Sequence, residues 1–221
     1  MALKLPKGTQ FGFAPITAAK IASAGFSKAS PALASAAAGA VGAGAVVLIG
    51  APGWPMLNNR VAEAGDEAGG AFPLLGIDTT DATLYPGISG PGTIQVADDF
   101  IDFTQQGDAS TSGGDQQYWS GTLLEDPTGR QIQIPTTKNA KTLTLPLHFD
   151  PKLPWYKAAK AADAKGAPVV LRAKLPGGED TLYWYGYMSF DGDPSITSNT
   201  PMGNTMTFTA LSDSTLVEGD E

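Results

Sequence analysis

Few side chains in this sequence of 221 residues could carry out chemistry. Its single histidine, His148, alternates with apolar residues and falls on the polar side of a predicted strand. A Ser-His-Asp arrangement needs a buried carboxylate beside the imidazole, and the sequence identifies no such carboxylate. We therefore interpret His148 as a surface or interface residue, and we predict that the chain is not an enzyme.

Two acidic clusters, Asp98-Asp99 and Asp191-Gly192-Asp193, offer carboxylate oxygens, which are ligands for hard cations. Neither has the full ligand spacing of a calcium loop, and adjacent acids in loops are usually solvated. Cysteine is absent, which excludes disulfides and thiolate metal sites. We predict no metal and no cofactor. An enzyme that uses paired acids is an alternative with little support.

Binding motifs are equally sparse. Gly39, Gly42 and Gly44 do not form the G-x-G-x-x-G turn of a dinucleotide site, and no phosphate-binding P-loop is present. The aromatic segment Tyr183–Tyr187 could form a stacking platform for sugars or bases. Aromatic residues at strand spacing are more often core or subunit contacts, which is the interpretation we favour.

The elements that would position these residues are clearest between residues 141 and 211. Apolar residues recur at every second position in four segments, which predicts β-strands with one buried face. Between the first two of these strands, Pro154 and Gly166 are typical start and stop signals of a helix. The predicted order is strand Thr142–Phe149, helix 154–165, strand Val169–Leu175, strand Thr181–Phe190 and strand Thr205–Leu211.

Weaker patterns organise the rest of the chain. We predict a flexible arm over residues 1–44, a β-domain over residues 45–211 with a loop-rich insertion at 50–114, and an acidic tail at 212–221. Within the domain we predict strands at Ala45–Ile49, Ile94–Phe103 with a bulge at Asp98-Asp99, Tyr118–Leu124 and Arg130–Ile134. Residues 32–49 are too rich in Ala and Gly for a membrane span, so we expect no membrane partner.

Charge is divided into blocks along the chain. Residues 1–60 contain no acid, residues 61–129 contain no Lys or Arg, and residues 130–178 are again mostly basic. The segment from Glu179 to the end is purely acidic, and the formal net charge is −8. Such blocks are consistent with a solvated surface or with subunits that meet through unlike charges. They do not favour nucleic-acid binding, because Lys and Arg contacts to phosphate dominate that affinity.

The order of elements over residues 118–211 resembles the major tail tube proteins of long-tailed, lambda-like (siphovirus) bacteriophages. The resemblance depends on a strand that enters a short helix, followed by a strand with Arg or Lys, a tight turn, an aromatic strand and a Thr-rich last strand. In this sequence the last three strands contain Val169–Leu175, Leu182–Tyr187 and Met206–Thr209.

The resemblance implies a mainly β fold, a β-sandwich or barrel with one short flanking helix. It implies that six copies form a ring and that rings stack into a tube in the virion tail, after assembly in the host cytoplasm. The tube would enclose the tape measure protein, contact the tail terminator and distal tail proteins, and conduct DNA during ejection without binding it specifically. The arm and long loops would make ring-to-ring contacts.

From this resemblance and the charge blocks we derive two sets of candidate site residues. Acidic residues would line the lumen or the stacking surface and repel phosphate: Asp98, Asp99, Asp102, Asp108, Asp191 and Asp193. Apolar and aromatic residues would contact other subunits: Val46, Leu48, Trp54, Tyr183, Tyr185 and Tyr187. Two alternatives remain: the inner tube of a contractile tail or secretion-system-like device, and a carbohydrate-binding β-sandwich.

Overall fold

A computed structural model describes residues 7–125, 127–177 and 180–219. Within these residues the chain forms sixteen strands and one α-helix. In chain order the elements are β1 Gln10–Pro15, β2 Ile21–Ser23, β3 Ala32–Ser35, β4 Val46–Gly50, β5 Val61–Ala64, β6 Ala71–Leu75, β7 Gly92–Val96, β8 Ile101–Asp102, β9 Ser110–Ser112, β10 Gln116–Thr122, β11 Gln131–Lys138, β12 Thr142–His148, α1 Pro154–Lys165, β13 Val169–Lys174, β14 Thr181–Ser195, β15 Gly203–Ala210 and β16 Thr215–Val217.

The eight-stranded sheet has the order β8-β1-β13-β14-β15-β12-β9, and β16 pairs with β14. The chain that follows β8 closes this sheet on itself. Phe103 N–H donates to the carbonyl of Phe11 in β1 at 2.8 Å, and Gly107 N–H donates to the carbonyl of Pro146 in β12 at 2.8 Å. The sheet therefore curls around a core that contains Phe13 and Leu145, because residues at both of its ends contact the same short segment.

The six-stranded sheet has the order β2-β7-β4-β5-β6-β3, and it also curls. An isolated bridge joins Phe26, just after β2, to Ala34 in β3. Ser27 N–H donates to the carbonyl of Leu33 at 2.9 Å beside this bridge. The sheet encloses a second core, in which Trp54 is fully buried.

The two sheets pack against each other through a third apolar group, which we call the inter-sheet cluster: Val46, Leu48, Val61, Val170, Tyr183 and Val217. Strand β4 shows how sequence produces this layering. Val47 and Ile49 point into the six-stranded sheet's core, whereas Val46 and Leu48 join the inter-sheet cluster. The continuous apolar run of β4 is thus explained by a strand that is buried on both faces.

Helix α1 covers the core of the eight-stranded sheet and forms where its start and stop signals predict it. Pro154 lies in its first turn, and Gly166 ends it in the left-handed conformation with φ of 60°. Trp155 and Ala159 are buried on its inner face. The Trp155 ring contacts the Phe190 ring at a centroid distance of 5.9 Å, so packing holds this short helix in place.

The prediction of a flexible arm over residues 1–44 is wrong for residues 10–35, where β1, β2 and β3 lie in the two sheets. Strand β1 pairs with β13 along its whole length. Its aromatic residues Phe11 and Phe13 belong to the core of the eight-stranded sheet. Many small residues made this region look like a linker, whereas in the structure they allow close packing. Residues 1–6 lie outside the described residues.

The segment at 50–114 is not an insertion into a single sandwich. It supplies β5, β6 and β7 to the six-stranded sheet and β8 and β9 to the eight-stranded sheet. The predicted single strand Ile94–Phe103 is in fact two strands, β7 and β8, in different sheets. The residues around Asp98-Asp99 cross between the sheets, where Asp98 N–H donates to the carbonyl of Pro15 at 2.9 Å.

The predicted tail at 212–221 also contains structure. Strand β16 pairs with β14, and Thr215 is buried. The Arg60 guanidinium donates to the carbonyl of Ser214 at 3.1 Å and to Thr215 Oγ1 at 3.1 Å. These contacts tie the C-terminal segment to the six-stranded sheet; residues 220 and 221 lie outside the described part of the chain.

The predicted fold class, a mainly β structure with one short helix, is confirmed. The strands predicted between residues 142 and 211 all form, within a few residues of the predicted bounds. Among the residues that the structure describes, none belongs to a helix with the length and apolarity needed to cross a membrane.

Candidate functional site

A broad sheet face rich in hydroxyl groups lies on the outer side of β9, β12, β15 and β14. The register places Thr144 between Ser110 of β9 and Thr207 of β15, and Thr207 opposite Ser189 of β14. A parallel row contains Ser112, Thr142 and Thr209. We call this surface the hydroxyl face: Ser110, Ser112, Thr142, Thr144, Ser189, Thr205, Thr207 and Thr209.

Alternation along the strands explains why this face is polar. The intervening residues, such as Leu143, Met206 and Phe208, point into the core of the eight-stranded sheet. The six-stranded sheet packs on the same outer side, but at the β13 part of the eight-stranded sheet, through the inter-sheet cluster. The members of the hydroxyl face are exposed or half-buried.

The hydroxyl face carries no positive charge, because β9, β12, β14 and β15 contain neither Lys nor Arg. Asp191 lies at one end of the face, where it pairs with Thr205. Its Oδ1 accepts a hydrogen bond from the backbone N–H of Asp193 at 3.0 Å. Both aspartates are exposed, as is Asp108 between β8 and β9. The arrangement can present a neutral to weakly negative surface to a polyanion.

The other candidate acids lie elsewhere. Asp98 and Asp99 are exposed at the crossing between the sheets, and Asp98 Oδ1 accepts a hydrogen bond from Thr17 Oγ1 at 2.9 Å. Asp102 forms an ion pair with Arg172 at 2.7 Å, and its side chain is only 33% exposed. Because this charge is already compensated within the chain, Asp102 adds little negative potential to a lumen surface, and its assignment to the lumen stays a prediction.

Four of the six candidate contact residues are buried within the chain. Val46, Leu48 and Tyr183 belong to the inter-sheet cluster. Trp54 is fully buried, and its Nε1–H donates to the carbonyl of Pro86 at 2.9 Å. The prediction that these four contact another subunit is wrong, because their partners are residues of the same chain.

Tyr185 and Tyr187 are the two candidate contacts that remain accessible. Tyr185 is half-buried beside the inter-sheet cluster, and Tyr187 is 47% exposed next to the hydroxyl face. Their neighbour Tyr183 is buried, so the three tyrosines do not form a continuous exposed platform. This arrangement gives no support to a carbohydrate-binding surface at this strand.

Tyr183 joins the sheets by a polar contact as well. Its hydroxyl donates to Glu63 Oε2 at 2.9 Å. Burial, together with the negative charge of Glu63, raises the pKa of Tyr183 well above its ordinary value. Burial also raises the pKa of Tyr185. Both groups are therefore held in their neutral form in the folded chain.

We expect replacement of Tyr183 with phenylalanine to lower the free energy of unfolding by about 1–2 kcal/mol at neutral pH, because the hydrogen bond to Glu63 is lost. The unfolded chain releases the phenolic proton near pH 10, before the folded chain does. The native protein should therefore lose stability as pH rises above about 10. Tyr183→Phe should reduce this loss of stability, and the part of the loss that remains should come from Tyr185. Urea unfolding of the natural protein and the variant at pH 8 and pH 10.5 measures the lost hydrogen bond and the pH dependence. An unchanged pH dependence in the variant would contradict the assignment.

Sequence reasoning missed one surface. It predicted the strands of the β10–β11 hairpin but gave them no role. In the structure the two strands form a separate two-stranded sheet, in which all residues of β11 and most of β10 are exposed. Its large apolar side chains Tyr118, Trp119 and Ile134 are more than half exposed. The sequence signal was the presence of aromatic and aliphatic residues in strands with no predicted helix or sheet to cover them.

His148 is exposed at the end of β12. The described residues contain no group of three or more His, Asp or Glu side chains placed to hold a metal ion.

Comparison with protein families identifies the chain. Residues 52–219 match the family described as phage tail tube protein. This match covers well over half of the sequence. The chain belongs to the phage tail tube protein family. As a tail tube protein it has a structural role in the virion tail, and the predicted family resemblance is confirmed.

Three chains of solved structures are similar to about half of this tail tube protein. A chain from the virion of a native gene transfer agent particle is 11% identical, with a TM-score of 0.40, over 53% of this chain and 88% of that chain. A chain from the tail of an empty gene transfer agent particle is 12% identical, with a TM-score of 0.40, over 55% and 87%. The cap of an anti-feeding prophage contains a chain that is 17% identical, with a TM-score of 0.34, over 55% and 84%. Comparison with curated proteins finds no match.

Proposed function

We propose that this chain is a structural subunit, not an enzyme, that assembles into rings of six copies stacked along the tail, and that its hydroxyl face lines the bore of the tube. Membership of the tail tube family supports assembly of the chain into a tube. The observation that carries the placement of the bore is the extended sheet face that the described residues leave accessible, on strands that contain no Lys or Arg.

The chemistry of this face suits the passage of DNA. Each Lys or Arg that contacts a phosphate adds affinity and would retard the duplex. Serine and threonine hydroxyls form hydrogen bonds with phosphate or water but carry no charge. A bore lined with neutral hydroxyl groups would not bind the phosphate backbone of DNA tightly. Asp191 and Asp193 at one end would repel it. Asp108 also lies near this end of β12.

The same surface would first contact the tape measure protein, which the tube encloses before the genome passes. Rows of hydroxyl groups offer hydrogen-bond donors and acceptors without selecting a particular peptide sequence. They therefore suit a tape measure protein that must later leave the tube. Contacts with the tail terminator and distal tail proteins would occur at the two ends of the tube. Asp98 and Asp99, which lie at the crossing between the sheets and away from the hydroxyl face, are candidates for contacts between rings.

Substitution of one residue of the hydroxyl face tests the placement of the bore. Thr207→Lys would add one cation per copy, repeated around every ring. We expect tubes of normal length and a severalfold slower ejection of DNA from triggered particles, with faster ejection at higher salt because phosphate contacts are screened.

The matched control is Ala164→Lys, which adds the same charge on the exposed side of α1. It should leave the ejection rate unchanged. If both variants eject DNA at the rate of the natural protein, the hydroxyl face does not line the bore. If the purified natural chain forms neither rings nor tubes under any condition that supports tail assembly, the proposed assembly itself is wrong.

A further inference from the structure

The β10–β11 hairpin is an unpartnered surface with a defined apolar side. Its strands pair with each other and make no extensive contact with any other described helix or strand. The register places Trp119 opposite Ile134, and Gly121 opposite Ile132. These residues share one side of the ribbon, which we call the apolar side of the hairpin.

The other side of the hairpin is largely polar. There Ser120 is opposite Gln133 and Thr122 is opposite Gln131, and Tyr118 is opposite Pro135 at one end. A ribbon with one apolar and one polar side is typical of a strand pair that lies on another surface. A two-stranded hairpin alone in water is marginally stable, so a partner would both cover and stabilise it.

The apolar side is preorganised for binding. The Trp119 ring lies directly over Gly121, because a Cβ atom built on this glycine would be within 2.6 Å of ring atoms. Any larger residue at position 121 would displace the ring. Trp119 remains 53% exposed and Ile134 51% exposed in this arrangement, so their outward surfaces are free for a contact.

The same chain carries an apolar groove that could receive this side. It lies between the C-terminal half of α1, β1 and the start of β13, and it has a volume of about 360 Å³. Its lining residues are mostly apolar, and Lys165 contributes a positive charge to the lining. The residues that matter here are Phe13, Ile16, Ile101, Ala158, Ala161 and Pro168. A groove of this size accommodates one aromatic side chain and an aliphatic neighbour.

We propose that the apolar side of the hairpin in one copy seats in the groove of a second copy of this chain. The inference rests on the proposed function, since a tube requires repeated contacts between identical copies. The hairpin and the groove are different surfaces of one chain, so the contact is head-to-tail. Repeated head-to-tail contacts generate either closed rings or continuing filaments. A stacked tube needs both, because copies join within a ring and rings join along the axis. Exposed apolar patches of this kind mark interaction sites.

Cysteine pairs test the contact directly, because the natural sequence contains no cysteine. The variant carrying both Ile134→Cys and Ala161→Cys is assembled into tubes and oxidised. The contact predicts a ladder of covalently joined copies on a non-reducing gel. The matched control carries Ile134→Cys with Ala164→Cys; Ala164 is on the same helix and is also exposed, but it is not among the residues that line the groove. It should yield at most one-fifth of the cross-linked product.

A second measurement covers the case in which the cysteine variants assemble poorly. Trp119→Ser should raise the protein concentration needed for tube formation by at least tenfold, whereas Tyr118→Ser on the other side should change it less than twofold. Circular dichroism and gel filtration of each variant verify that the chain is folded.

The outcomes separate this inference from the proposed function. If the natural chain forms tubes but the Ile134–Ala161 pair gives no more product than its control, the hairpin does not seat in this groove. If Trp119→Ser forms tubes normally and loses only the incorporation of another virion protein, the hairpin binds that protein, and the inference is also overturned. If the natural chain forms no tubes, the proposed function fails and this inference fails with it.

Discussion

Replacement of Trp155 with alanine should lower the free energy of unfolding by about 3–5 kcal/mol, as expected for loss of a large buried side chain. Trp155 is only 1% exposed. Its ring contacts Phe103 at a centroid distance of 5.7 Å, and its Nε1–H donates to Thr104 Oγ1 at 3.1 Å. The substitution would leave a cavity and remove the residue that fixes α1 against the eight-stranded sheet.

The sequence offers a matched control for this change in Trp119, which is 53% exposed in the hairpin. Trp119→Ala should change the free energy of unfolding by less than about 0.5 kcal/mol. Urea unfolding at concentrations where the chain is monomeric measures both variants, because assembly would add stability by mass action. Equal losses in the two variants would show that Trp155 does not anchor the helix.

The region from residue 142 to residue 210 could be predicted because its signals are local. Alternation of apolar and polar residues identifies strands one at a time, and Pro154 with Gly166 marks the ends of one helix. In β14 the same alternation places Leu182, Trp184 and Met188 on the side opposite the tyrosines. The structure shows this separation, since Met188 is buried in the core of the eight-stranded sheet and Leu182 and Trp184 pack against that core.

Strand β1 could not be predicted by the same reasoning. Its partner β13 lies near the other end of the chain, and no local pattern encodes such a pairing. Gly12 and Ala14 give β1 a weak alternation of hydrophobicity. The six-stranded sheet was missed for a related reason, because its strands are short and are separated by long glycine-rich segments.

The contact residues show a limit of periodicity. A period of two identifies which residues share a face, but it does not identify what covers that face. Tyr183 and Tyr187 have the same parity in β14; the six-stranded sheet covers Tyr183 and leaves Tyr187 exposed. Apolar groups assigned to a subunit interface from sequence are therefore partly explained by a second sheet of the same chain. Likewise, Asp102 was counted as a lumen acid because its partner, Arg172, is distant in sequence.

Replacement of Arg172 with alanine should lower the free energy of unfolding by on the order of 2–4 kcal/mol. Loss of one partner from a fully buried ion pair costs about 3–5 kcal/mol, and the partial exposure of Asp102 reduces this cost. Arg172 Nη2 donates to Asp102 Oδ1 at 2.7 Å, and its guanidinium carbon lies 4.1 Å from the centre of the Phe100 ring. The substitution would remove both contacts and leave the carboxylate without its counter-charge.

The control is Lys174→Ala, which removes an exposed cation from the same strand and should cost less than about 0.5 kcal/mol. A double-mutant cycle with Asp102→Asn separates the pair from the stacking contact, because only the ion pair depends on both residues. If the losses in the two single variants and the double variant are additive, Arg172 acts through Phe100 and general packing alone. If the double variant loses much less free energy of unfolding than the sum of the two single variants, the ion pair itself stabilises the protein. It would then link β8, which follows the crossing between the sheets, to β13.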